Sequence, residues 1–418
     1  MKHDQAGRDR LKAFIAEAHG VAARFAGAVR RAPIAATIVH HNDADGLAAA
    51  AALAYALDRL DLERGLLPVE KVHAPVVAQI HAMAQGAVIY ADLGGQSCGL
   101  IGRYATDDQE VIILDHHLPG EAVSGRVSHL NPELYGISGD ADASGAAVCA
   151  VFAAALMEEA ARTARGEGAL PALMGVIGAV GDGQMKSGAL TGVNRILLEA
   201  AVKQGEITPS EGGYAIPRFG NKSPGEIVAV LNLLGSVGFY SGGAKTAVDF
   251  LLGGDPREAL RTADQLQDLM AAAFNWEAET IRRTGLAASP HFQWVDVKRR
   301  FEPMGVKAIG LFLEYLVEQG LAALDKYVIG FQHLPAEMPG LGFIQGSLTK
   351  ISARVPPNLR ASIQQGRLPD FLTLIPLATE QVQGTADGCH RFAAASLIAQ
   401  GREAEFLQAL EQVLAQKR

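Results

Sequence analysis

The chain is poor in aromatic residues, 6% with two tryptophans, so aliphatic side chains must fill most of its cores. Alanine takes many apolar positions, which favours closely packed helices. Cys98, Cys149 and Cys389 are odd in number and scattered, without Cys-x-x-Cys spacing. That excludes a disulfide framework or a cysteine zinc site and leads us to expect reduced thiols in a cytoplasmic protein. Excess basic charge is also missing. The 37 Lys and Arg against 45 Asp and Glu leave −8, which argues against a surface coated for indiscriminate duplex binding but not against one basic groove. The longest apolar run, Leu47 to Leu57, lies between Asp45-Gly46 and Asp58-Arg59, well short of the roughly 20 residues that span a bilayer. The first residues carry both signs of charge and lack the apolar core of a signal peptide. No membrane partner is expected.

Hydrophobic residues at 49% nevertheless allow sizeable cores, and 418 residues suggest two or three compact units. Helical spacing of Leu11, Phe14, Ile15, Ala18, Val21, Ala22 and Phe25 predicts one amphipathic helix over 1–32. Three short apolar runs follow, 35–39, 87–90 and 111–114, with helical stretches at 46–60 and 76–85 between them. Such runs predict buried parallel strands of a doubly wound α/β sheet. Residues 144–201 read as Ala-rich helix broken at Gly181-Asp182-Gly183. Residues 201–285 read as a helical connector with Gly- and Pro-rich turns and a long amphipathic helix near 256–284. From 286 to 418 we expect a smaller α/β domain, with strands at 291–297, 326–332, 341–352 and 371–377 and helices near 305–320 and 391–415.

In doubly wound sheets, ligands bind beyond the carboxyl ends of the strands. Here each of the three runs ends in acidic or imidazole residues: His41-x-Asp43-x-Asp45-Gly46, then Asp92, then Asp115-His116-His117. Asp182 adds a fourth cluster. A lone aspartate at a strand end is ordinarily a helix cap or turn former, but four such clusters in succession are hard to explain as independent caps. Mixed carboxylate and imidazole ligands suit Mn²⁺, Fe²⁺, Co²⁺ or Zn²⁺ better than Ca²⁺. Their number exceeds one ion's needs and fits two ions about 3.5–4 Å apart, the geometry of phosphoester hydrolysis.

The four motifs, in this order, resemble those of the DHH phosphoesterase superfamily. That group includes RecJ-type single-strand exonucleases, oligoribonuclease/pAp phosphatases, cyclic-dinucleotide phosphodiesterases and family II pyrophosphatases. The resemblance covers roughly the first half of the chain, taken as a DHH-like domain over 1–200. His129-Leu130-Asn131-Pro132 is similar to the Asn-Pro turn common there. Farther on, Ser352-Ala353-Arg354 and Gly388-Cys389-His390 resemble the Ser-x-Arg and Gly-Gly-His motifs of a DHHA1 domain, with Cys389 replacing the second glycine. Pyrophosphatase-type members carry a different C-terminal domain. Leu231-Asn232-Leu233-Leu234-Gly235-Ser236 resembles the connector of archaeal-type RecJ-like proteins.

The resemblance implies metal ligands at His41, Asp43, Asp45, Asp92, His116 and Asp182, with Asp92 bridging two divalent ions. Mn²⁺ is expected, with Mg²⁺ or Co²⁺ as alternatives. Asp115 would support the site from behind and His117 would face the phosphate. Ser352, Arg354, Gly388 and His390 would bind substrate. The implied activity is phosphodiester hydrolysis, first of single-stranded nucleic acid, alternatively of short oligonucleotides, cyclic dinucleotides or pAp. A non-catalytic nucleic-acid-binding scaffold is the rival class, and the intact metal motifs speak against it. Weaker signals read as structure: Gly-Gly-Ala-Lys245-Thr246 lacks the glycine that a P-loop needs before its lysine. Arg282-Arg283 and Lys298-Arg299-Arg300 read as surface charge, Phe292 and Trp294 as core. Ser144-Gly145-Ala146-Ala147 opens a helix that either presents N–H groups to a phosphate or is simply capped.

Overall fold

The computed structural model describes residues 2–31, 34–121, 127–161 and 169–417. The chain divides into two units. Unit 1 comprises residues 1–235, 242–263 and 339–342, and unit 2 comprises 236–241, 264–338 and 343–418.

Unit 1 begins with helix α1 (Lys2–Arg31); Met1 and Ala32 of the expected helix lie outside the described residues. Strand β1 (Ala36–His41), α2 (Ala44–Arg59), β2 (Arg64–Val69), α3 (Ala74–Met83), β3 (Ala87–Ala91), α4 (Cys98–Tyr104), β4 (Glu110–Leu114) and β5 (Val127–Leu130) follow. Among the described residues the five strands form one parallel sheet in the order β2-β1-β3-β4-β5. The chain runs one way from β1 to β2 and the other way from β3 onward. Right-handed crossovers therefore place α2 on one face and α3 and α4 on the other. This is the doubly wound arrangement expected, with its switch point between β1 and β3. Helices α5 (Gly145–Ala161), α6 (Ala169–Gly181) and α7 (Gly192–Lys203) come next; residues 162–168 of the expected helical stretch lie outside the described residues. α2 packs against both α5 and α6. Its alanines 48–52 are fully buried, and such small side chains let helix axes approach closely. The hairpin β6 (Thr208–Ser210) and β7 (Gly213–Ala215), then α8 (Pro224–Asn232), α9 (Gly243–Leu251) and α10 (Pro256–Thr284), follow. The boundary between the units falls inside α10, after Ala263.

Unit 2 contains β8 (Ala287–Ala288), β9 (Phe292–Lys298), α11 (Ala308–Glu318), β10 (Tyr327–His333), short β11 (Glu337–Met338) and β12 (Gly342–Phe343), β13 (Leu348–Arg354), α12 (Pro357–Gln364), α13 (Phe371–Gln381), β14 (Thr385–Asp387), β15 (Ala393–Ala399) and α14 (Glu403–Lys417). A mixed sheet runs β14-β15-β13-β10-β9-β8, with β9 and β10 parallel and the other paired strands antiparallel. Phe292, Tyr327, Phe331 and Ile351 face Phe371, Leu374, Phe406 and Leu410 of α13 and α14 in one core.

Three expectations fail here. Residues 371–377 form α13 instead of a strand. Asp370 accepts from the Thr373 N–H and caps its start, and Phe371, Leu374, Ile375 and Ala378 follow helical spacing into the core. Burying each large one contributes about 1.5–3 kcal/mol. Residues 393–399 of the expected 391–415 helix are strand β15, in which Ala394, Ser396 and Ile398 are buried with period two. A turn at Gly401, with φ of 93°, then opens α14. The strand expected over 341–352 starts later, at Leu348.

Candidate metal centre

The acidic and imidazole residues of unit 1 collect where β1, β3 and β4 end, beside the N-terminus of α5 and the C-terminus of α6. Side-chain ligand atoms meet in three groups: His41, Asp43 and Asp92; Asp45, His116 and Asp182; and Asp92, Asp115, His116 and His117.

The first group forms as β1 gives way to α2. Asp43 is the extended N-cap of α2, and its Oδ1 accepts from the Gly46 N–H at 3.1 Å. Its Oδ2 lies 2.9 Å from His41 Nδ1, which is 3.7 Å from Asp92 Oδ2. Asp92 follows β3 in left-handed backbone, φ 61°, which aspartate tolerates better than most residues. Its other oxygen, Oδ1, stands 3.3 Å from His116 Nε2. The two oxygens of one carboxylate thus face two different ligand groups.

The second group is built by helix ends. Asp45 is buried in the first turn of α2, and its carboxylate reaches the start of α5, where it takes the Ser144 hydroxyl and the Gly145 and Ala146 N–H groups at 2.8–2.9 Å. Of the two readings of this helix N-terminus, presenting N–H groups to a phosphate does not hold, because Asp45 occupies them. Close approach here requires glycine. A Cβ on Gly145 would lie 2.1 Å from Asp92 Oδ1, and one on Gly178 would lie 2.2 Å from Asp45 Oδ1. Asp182, just past α6, accepts from Gln184 Nε2 at 2.6 Å. His116 Nδ1 donates to the Gly139 carbonyl at 2.8 Å, which turns Nε2 toward Asp92 and Asp45, as a hydrogen bond on the far nitrogen does for metal-binding imidazoles.

Asp115 supports this arrangement. Its Oδ1 accepts from the His116 and His117 N–H groups and from His117 Nδ1, and its Oδ2 from the Gly95 N–H. With both oxygens so engaged it is a brace more than a ligand. Burial alone would raise its pKa, but the two histidines and the Gly95 N–H hold it well below the usual range. Asn131 Nδ2 donates to the His117 carbonyl, and its Oδ1 accepts from the Glu133 N–H. His117 is half exposed, and its pKa is raised because Asp115 outweighs burial. His40 is buried and makes one hydrogen bond, to the His41 carbonyl; burial lowers its pKa to about 4.

Whether cations fit can be judged from the carboxylates. Burial first, then mutual repulsion, raises Asp92 well above its ordinary value, and burial likewise raises Asp45 and brings Asp182 to about 6. Burial would lower His116, yet Asp92, Asp45 and Asp182 lift it well above its ordinary value. Asp92 Oδ1 is buried without a hydrogen-bond partner. With Nδ1 donating to Gly139, a cation that displaced the Nε2 proton would find that lone pair and Asp92 Oδ1 3.3 Å apart, close to the roughly 3 Å between two ligand atoms on one cation. The donor set fits divalent metal.

The motif residues could be found by recurrence, but their supports could not. Gln184 Nε2 also donates to Gly139, and Asn194 Nδ2 donates to Gln184 Oε1 while Asn194 Oδ1 accepts from the Ser144 N–H. One buried chain thereby ties Asp182, His116 and Asp45 together.

In unit 2, Ser352 is buried in β13 and Arg354 ends that strand, its Nε donating to Glu314 at 2.7 Å. Gly388, with φ of 64°, and exposed His390 lie in the turn before β15. The side chains of Arg354 and His390 are not in the core of the unit. Arg282, Arg299 and Arg300 pair with Glu279, Glu302 and Glu277, and Lys245 pairs with Asp249 at the start of α9.

A parallel α/β domain with buried carboxylates and imidazoles at its switch point defines a metal-binding domain of a recognisable class. Residues 35–175 match the family described as the DHH family, N-terminal domain, so this part of the chain is a DHH domain, and the fold is similar to that of RecJ. No curated protein matches its sequence. Solved structures do. An exonuclease RecJ bound to manganese is 18% identical, TM-score 0.61, over 96% of this chain and 94% of that one. RecJ from Thermus thermophilus in complex with Mn²⁺ is 20% identical, TM-score 0.61, over 96% of this chain but 55% of that one. CDC45 from Entamoeba histolytica is 10% identical, TM-score 0.51, over 91% and 95%. At these identities the likeness is one of fold. Among the described residues no helix is long and apolar enough to cross a membrane.

Proposed function

We propose that this chain is a two-metal-dependent phosphodiesterase, a RecJ-like exonuclease of single-stranded nucleic acid working in the cytoplasm. The observation that carries this is Asp92, whose Oδ2 faces His41 and Asp43 while its Oδ1 faces His116. His41, Asp43 and Asp92 would hold one divalent ion, and Asp92, His116, Asp45 and Asp182 the other, with Mn²⁺ first and Mg²⁺ or Co²⁺ as alternatives. When bound, the ions would supply charge to the phosphoryl oxygens and lower the pKa of water. Asp115 keeps the His117 ring fixed and favours its protonated form, so that His117 offers a donor to an oxygen gaining charge during in-line attack. Ser352, Arg354, Gly388 and His390 would bind the substrate backbone, which makes 286–418 a substrate-binding domain, 1–200 the metal-binding domain and 201–285 the connector. RecJ structures determined with manganese support this reading by their fold.

Short oligonucleotides, cyclic dinucleotides or pAp are the second reading. The net charge of −8 and the pairing of Arg282, Arg299 and Arg300 with glutamates favour it, because a long strand profits from an extended basic groove. The deciding experiment incubates the protein and Mn²⁺ with 5′- and 3′-labelled single strands, dinucleotides, cyclic dinucleotides and pAp. Hydrolysis of the strands from one end is expected. Failure to cleave anything in the panel with Mn²⁺, Mg²⁺ or Co²⁺ would refute the enzymatic reading in favour of a binding scaffold.

A further inference from the structure

The start of α2 contains a buried donor that the helix cannot satisfy itself. Ala44 is its first residue and is fully buried, so its N–H has neither an intrahelical acceptor nor water. The N-cap carboxylate reaches the N2 or N3 N–H and not that of N1; here Asp43 Oδ1 accepts from Gly46 and Oδ2 lies against His41. The Ala44 N–H instead donates to Asn232 Oδ1 at 3.0 Å, across 188 residues of sequence. A second tie lies two residues back. Asn42 Nδ2 donates to the Gly235 carbonyl at 3.2 Å and, less closely, to Glu70 Oε1 at 3.4 Å. Gly235 comes so near that a Cβ there would stand 2.2 Å from the Asn42 carbonyl oxygen. The approach is made by a π-helical turn, Leu233–Val237, directly after α8. Such wide turns are frequent at functional sites. Asn42 is itself fully buried and its Oδ1 has no partner, so its hydrogen bonding runs through Nδ2.

We propose that Asn232 is a positioning residue of the cation centre, with the π turn as its mount. The inference rests on the metal reading above and lies outside the matched domain, residues 35–175. By accepting the Ala44 N–H, Asn232 anchors the residue that follows Asp43, while the Asp43 Oδ1 caps Gly46 and its Oδ2 stays directed at His41. Pinned at Asn42 and Ala44, the loop holds Asp43 in extended backbone, φ −98° and ψ −177°. That conformation sends Asp43 to one ligand group and Asp45 to the other.

Calorimetric titration with Mn²⁺ alone tests this without substrate, on variants whose folding is checked by circular dichroism. Asn232→Leu should weaken Mn²⁺ binding at one or both positions by about tenfold or more, as loss of an outer-shell support does. Asn232→Asp, which keeps an acceptor for Ala44, should recover most of that affinity. Asn42→Ala removes the second tie without orphaning a buried N–H, and should weaken binding in the same direction even if Asn232→Leu fails to fold. Mn²⁺ affinity and stoichiometry unchanged in Asn232→Leu, or in Asn42→Ala where the first variant does not fold, would overturn the proposal, because a merely structural contact would lower thermal stability and nothing else. Absence of Mn²⁺ binding by the unaltered protein would overturn the metal reading and this inference together.

Discussion

Gly145→Ala offers a sharp test of how the centre is assembled, because it alters no ligand. The new methyl would lie 2.1 Å from Asp92 Oδ1 and 2.5 Å from its Cβ, against 3.4 Å for ordinary contact. Methyl and oxygen must therefore separate by about 1.3 Å, whereas metal–ligand distances tolerate about 0.2 Å. Asp92 is held by its backbone bond to Leu114, so its carboxylate must swing away from His116 or His41. Overpacking of this kind costs about 1–3 kcal/mol of stability without metal. The larger effect should be on cation binding, for which we expect about a hundredfold loss, or about 2.8 kcal/mol. Thermal unfolding with and without Mn²⁺ separates the two. At a concentration about 1,000-fold above the unaltered Kd, Mn²⁺ should add about 4.1 kcal/mol to the unaltered protein but only about 1.4 kcal/mol to the variant. Gly99→Ala in α4, whose added methyl meets nothing closer than 3.8 Å, serves as control. An equal Mn²⁺ increment in Gly145→Ala and the control would refute the placement of Asp92 between the two groups.

Three further outcomes are expected. Asp92→Ala should lose at least one cation and lower hydrolysis by orders of magnitude while strand binding largely survives; unchanged turnover by metal-replete variant would contradict the mechanism. Arg354→Ala should do the opposite, weakening substrate affinity with metal content intact, and equal affinity would remove Arg354 from the substrate site. Mn²⁺ affinity should fall as pH drops through about 6, because the cation competes with protons at Asp182, which burial and Asp45 raise from 3.8. Without metal the sign reverses. The folded state then binds the extra proton, so that part of its stability should decline as pH rises from about 4 to about 6. Isothermal titration from pH 5 to 8 and melting curves from pH 4 to 8 measure the two.

The motif residues were legible because their chemistry is local. His41, Asp43, Asp92, Asp115 and His116 each stand at or just past the end of an apolar run, and a parallel sheet brings such ends to one edge whatever the details of packing. The long amphipathic helix near 256–284 was legible for a similar reason, since its period persists over many turns. Short apolar runs were not. Residues 371–377 read as a strand until a capping aspartate and a core contact at every third or fourth position made them α13, and the alanines at 393–395 read as helix until β13 and β14 paired with them. Propensity is weak over so few residues, and the partner decides.

By itself, then, the sequence determined the candidate ligand types, their order and the sheet that gathers them, because each depends on neighbours along the chain. Tertiary structure decided the rest. It set the candidate ligands in groups on either side of Asp92, and it surrounded both oxygens of Asp115 with N–H donors. It brought Gln184 to Asp182, Asn194 to Ser144 and Asn232 to the Ala44 N–H, the last across 188 residues. Hydrogen bonds across such separations depend on where helices and turns finally pack, and no local pattern records that.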